Sequence, residues 1–113
     1  METIKKLLNS LDAKAQRLFA VWCAREALKL VDNPEQHAIN VVDVAEKYAN
    51  GEITEEELEV AYAAAHWAAY SAVYFAARRT AYGAAYWATE AGVPEDKILE
   101  KLKKVITEQS VQK

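Results

Sequence analysis

Apolar residues recur at helical spacing almost from end to end of the chain. Ile4, Leu7, Leu8 and Leu11 fall three, four and seven apart, which marks one face of a short helix over residues 2–9. Ser10 and Asp12 are N-cap residue types, so a second helix is predicted over 12–31, with the stripe Ala15, Leu18, Phe19, Trp22, Cys23 and Glu26. Asn9 and Ser10 are weak breakers, and one continuous helix is the other reading. Asp32-Asn33-Pro34-Glu35 is a boundary. Asn33 suits a cap and Pro34 the first turn of a third helix over 34–50, which shows Ala38, Ile39, Val42, Ala45 and Ala49. Asn50-Gly51 closes it, because glycine takes the left-handed conformation past a helix end without a Cβ clash. Thr54 through Glu57 has the pattern of a capping box, so a fourth helix starts at 55. Nothing but Gly83 interrupts it before Gly92-Val93-Pro94-Glu95. The last helix, over 95–109, carries Ile98, Leu99, Leu102, Val105 and Ile106 on one stripe, with Lys97, Lys101, Lys103 and Lys104 off it.

The fourth helix is unlike the others. Residues 61–91 hold 14 alanines, and the large residues among them are mostly aromatic. Steps of four from Tyr62 meet His66, Tyr70, Tyr74, Arg78, Tyr82 and Tyr86; a neighbouring row holds Trp67, Ser71, Phe75, Arg79, Gly83 and Trp87. Such a helix is apolar or aromatic nearly all round, which implies cover on more than one side. Run straight from 55 to 91 it would be about 55 Å long, more than the width of a domain this size. Either Gly83 marks a bend, or the helix projects, or a neighbouring copy covers it. The fold expected is therefore all-α: a compact bundle of four to five helices with one long Ala/Tyr-rich central helix.

Composition narrows the class. At 113 residues the chain is read as one domain over 1–113, with a radius of gyration of about 13 Å. Twenty-two alanines favour helix, and three glycines with two prolines are too few for an all-β fold. One cysteine excludes an internal disulfide and a Cys-based zinc site, and two histidines exclude a three-His metal site. No apolar run approaches the roughly 18 residues of a membrane span, and no signal-type apolar region opens the chain, so a cytoplasmic protein is expected. Charge is uneven: net −6 over 51–96 and +3 over 97–113, for a total of −3. An acidic middle lacks the concentrated basic face that DNA binding needs.

Few residues carry candidate chemistry. Arg78 and Arg79 are the only Lys or Arg between Lys47 and Lys97. Each reads as paired within the fold, with Glu26 or Asp43 as acids, or as meeting an anionic ligand or acidic partner. They lie 100° apart on a helix, and Arg78, on the Tyr74–Tyr82 row, is the one assigned the functional role. His66 reads as a buried, hydrogen-bonded core histidine or as a member of the same ladder. Tyr70, Tyr74, Arg78, Arg79 and His66 form the candidate partner or ligand site. Tyr82, Tyr86 and Trp87 are the candidate contact between copies in a homodimer or higher oligomer. Cys23 reads as a small core residue whose burial raises its pKa, not as a nucleophile. No nucleophile, acid/base or phosphate-loop motif is present, so no enzyme and no cofactor is expected.

Two stretches carry a resemblance. They are Phe19-Ala20-Val21-Trp22-Cys23-Ala24-Arg25-Glu26-Ala27-Leu28, and Ala45-Glu46-Lys47-Tyr48-Ala49-Asn50-Gly51-Glu52-Ile53-Thr54-Glu55-Glu56-Glu57-Leu58 with the Ala-rich helix after it. Over roughly residues 15–91 the chain resembles small Ala-rich helical proteins of phage and prophage genomes. Those are similar to the immunity proteins of bacterial polymorphic toxin systems. The resemblance implies an all-α fold and binding to a toxin or host defence component, and it supplies no catalytic residues. The alternative from a different class is an oligomer that sequesters a nucleotide, rings stacking on the base and arginine on the phosphate.

Overall fold

A computed structural model describes residues 2–33, 36–57, 76 and 81–112. Those residues form helices and turns, with no strand among them, so the protein is all-α. The five helices bounded within them are α1 (Glu2–Leu8), α2 (Ala13–Leu28), α3 (Gln36–Ala49), α4 (Ala81–Ala91) and α5 (Glu95–Gln112). The radius of gyration is 13.3 Å, the value expected of a compact chain this long.

α1 and α2 are two helices. Asp12 adopts an extended backbone and its carboxylate accepts the Ala15 amide at 2.8 Å, which starts α2 afresh. The Gln16 side-chain amide reaches back and donates to the Leu8 and Leu11 carbonyls, at 2.9 and 3.1 Å, filling acceptors that the end of α1 leaves open.

The glycine stops form as their sequences require. Past α3, Gly51 sits at φ +76°; its amide donates to the Tyr48 carbonyl and the Glu52 amide to that of Lys47. Past α4, Gly92 at φ +118° repeats the arrangement, with Gly92 donating to Thr89 and Val93 to Ala88. Both are Schellman closures. Val93 turns into the core and Pro94 offers its carbonyl to Lys97 and Ile98, so α5 begins at once. Asn33 takes a left-handed φ of 52°, a conformation asparagine tolerates better than most residues; Pro34 lies outside the described residues. The capping box forms: the Glu57 amide donates to Thr54 Oγ1 at 3.2 Å, and Glu57 Oε1 accepts the Thr54 amide at 3.3 Å. Residues 55–57 and Ala76 are helical, but the continuity of a helix over 55–91 lies outside the described residues. Within α4 the helix passes Gly83 unbroken.

Among the described elements the central helix is α2, which packs on α3, α4 and α5. Its buried arc is Phe19, Ala20, Val21, Cys23, Ala24, Ala27 and Leu28. Leu18 and Trp22, both on the predicted stripe, are only half-buried. α4 packs closely on α2, and the residues it buries are all small: Ala81, Ala84, Ala85 and Ala88. α5 inserts Ile98 and Leu102, both fully buried, and packs on α1 and α2.

Candidate functional site

The alanines that bury one side of α4 decide where its rings go. At 100° per residue, Ala81, Ala84, Ala85 and Ala88 share one arc, and Tyr82, Tyr86, Trp87 and Glu90 fall on the opposite one. The rings of α4 therefore stand on the outside and do not fill gaps between helices, the place expected of them in a central helix. Tyr82, Tyr86 and Trp87 retain 36, 40 and 37% of their surface in solvent. With Leu30 they are the large exposed hydrophobic residues of the described part. Tyr86 and Trp87 meet edge to face, centroids 5.3 Å apart, so each ring fixes the other. Lys5, from α1, places its ammonium 5.8 Å from the Tyr82 ring centroid.

The three residues expected to contact a second copy are thus brought together on one open face. The other predicted site residues, His66, Tyr70, Tyr74, Arg78 and Arg79, lie outside the described residues. The two acids considered for the arginines are both engaged by other cations. Arg25 joins Asp43 at 3.0 Å and Glu46 at 2.7 Å, clamping α2 to α3. Burial works against the Arg25 charge, but hydrogen bonds and attraction from Glu46 and Asp43 raise its pKa further. Glu26 is buried and receives Lys29 at 2.9 Å and Lys97 at 2.8 Å. Desolvation pushes its carboxyl upward, yet the two lysine hydrogen bonds prevail and hold it below the usual carboxylate range. Cys23 is fully buried, and burial, then the charge of Glu26, push its thiol far up, which leaves it inert as a nucleophile.

A cleft of about 490 Å³ opens between α2, the end of α3 and α5. Leu18, Trp22 and Val105 form its apolar wall. Phe19 stacks behind Trp22 at 6.2 Å, and Lys101 stands 5.8 Å from the Trp22 ring centroid. Its rim mixes Lys14, Arg25 and Lys101 with Asp12, Glu46 and Glu108, so the charges favour neither sign of ligand. The signal available beforehand was Leu18 and Trp22 on the α2 stripe, but which part of α2 stays open depends on where α5 docks. Among the described residues no three His, Cys, Asp or Glu side chains gather as metal ligands, and no helix is long and apolar enough to cross a membrane.

Compared with known proteins, the chain matches no family model, no curated protein and no solved structure. The fold and this open aromatic face define it as an all-α protein with a candidate docking helix.

Proposed function

We propose that this is a non-enzymatic binding protein of phage or prophage type, an immunity or anti-defence protein that neutralises a protein partner. We also read the Ala/Tyr-rich segment as one long helix within a bundle of four to five. The observation that supports the binding role is the outer face of α4. Tyr82, Tyr86 and Trp87 stand there together, partly in solvent, on a helix whose other side is alanine. Tyrosine and tryptophan are enriched among residues that dominate binding energy, because each buries a large rigid surface with little rotamer entropy to lose. A soluble domain seldom leaves such rings clustered without a partner. The run of acidic residues within 52–59 would supply long-range attraction for a basic partner surface.

The test is to read the neighbouring genes and co-express the chain with any toxin they encode. Growth arrest relieved by the parent chain and not by Tyr86→Ala or Trp87→Ala supports the reading. Relief unaffected by both substitutions removes α4 from it. A melting-temperature rise with mononucleotides, acting by mass action on the free protein, would favour the sequestering role instead.

A further inference from the structure

The outer face of α4 is charged at its two ends in opposite senses. Lys5 sits at the Tyr82 end, over that ring. Glu90 sits one helical turn past Tyr86, on the same arc and exposed. Tyr86 lies midway between Tyr82 and Glu90, four residues from each. We infer that this face binds a second copy of itself, two α4 helices running antiparallel about a two-fold axis at Tyr86, with Lys5 of each copy against Glu90 of the other. This rests on the reading of α4 as the docking face.

The orientation follows from charge and symmetry. A two-fold contact must be self-complementary, each residue meeting its counterpart reciprocally. With the axis at Tyr86, position 82 of one copy lies opposite position 90 of the other, which brings opposite charges together twice. A parallel pair would set Lys5 beside Lys5 and Glu90 beside Glu90, and like charges at an interface oppose it. The rings supply the apolar centre. Tyr86 meets its own copy on the axis, and Trp87, edge to face against Tyr86, flanks it. Gathered on one helix, three partly exposed rings make a small interface, short of the roughly 800 Å² per partner of a stable complex. The dimer is accordingly a weak one, in the micromolar range, and open to displacement by a tighter protein partner.

Cysteine scanning reads the geometry directly, because the native Cys23 is buried and does not compete. On the axis, two copies of position 86 approach within disulfide range. Two copies of position 82 stay about 12 Å apart along the helices, beyond a disulfide's reach. Tyr86→Cys loses the axial ring, so its pairing is only transient, but mild oxidation is expected to capture those encounters as a disulfide-linked dimer and to leave Tyr82→Cys, which keeps that ring, monomeric. In sedimentation, Lys5→Glu and Glu90→Lys should each weaken association roughly tenfold, and the double reversal should return it to within about threefold of the parent. Both positions are exposed, so these variants keep the fold, checked by circular dichroism. Equal cross-linking at 82 and 86, or double reversal no better than the singles, overturns the antiparallel pairing and leaves α4 as the docking face. Association unchanged by Tyr86→Ser, or a monomer throughout the micromolar range, overturns the self-pairing itself; the neutralisation experiment then judges the docking face on its own.

Discussion

Glu26 is the one charged side chain buried among the described residues, and it ties α2 to α5 across 71 positions of sequence. Its two lysines keep more than half of their side-chain surface in water, so screening reduces what each pair contributes. Lys97→Ala is expected to cost about 1 kcal/mol, because Lys29 still serves the carboxylate. Glu26→Gln should cost about 1–2 kcal/mol, since both ammonium groups then lose their charged acceptor. Denaturant melts read both. The folded carboxyl titrates below its unfolded value, so its stabilisation is complete above the ordinary Glu pKa of about 4.3 and is lost as pH falls through the lower folded value. Glu26→Gln should therefore flatten the loss of stability at acid pH; an unchanged acid limb would contradict the linkage. Little of this pair was legible in the sequence. The sequence offers Glu26 as a mate for Arg78 or Arg79, and nothing local brings Lys97 to it. The capping box at Thr54 and Glu57 was legible because donor and acceptor lie three residues apart.

At the scale of elements, local chemistry was readable and faces were not. Helix starts and stops depend on residues within a turn, so Asp12, Gly51 and Gly92 could be placed from sequence alone. Faces were read from bulky residues, and α4 buries only small ones. Alanine gives almost no amphipathic contrast, so the buried small residues Ala20, Cys23, Ala24 and Ala27 of α2 and Ala81, Ala84, Ala85 and Ala88 of α4 leave no periodic signature. That is also why the rings of α4 were expected inside. Two substitutions separate the effects. Gly51→Ala places a Cβ in open space at φ +76°, so its cost is conformational alone, about 1 kcal/mol. Ala85→Leu forces a larger side chain into a fully buried seam and should cost roughly 1–3 kcal/mol. Urea melts that rank Gly51→Ala as the more damaging change would mean that the α2–α4 seam has room to spare.

For the whole molecule, the proposed pairing of two copies couples packing to association. The described core buries one face of α4 with alanine alone, and the aromatic mass of that helix lies outside it, where a second copy can cover it. Only the folded chain assembles this face, because Lys5 comes from α1, and Tyr82, Tyr86 and Glu90 share an arc only in a helix. Association must then stabilise the folded state by mass action, and the melting temperature must rise with protein concentration. A chain of this length unfolds with an enthalpy of about 80 kcal/mol near 60 °C, so a dimer that melts directly to two unfolded chains absorbs about 160 kcal/mol. Where the dimer predominates, each tenfold rise in concentration should raise the melting temperature by about 3 °C. Tyr86→Ser should abolish that dependence and melt at one temperature whatever the concentration, below the dilute parent because the monomer already buries more than half of that residue. A parent chain whose melting temperature ignores concentration throughout the micromolar range would show that the α4 face does not bring two copies together.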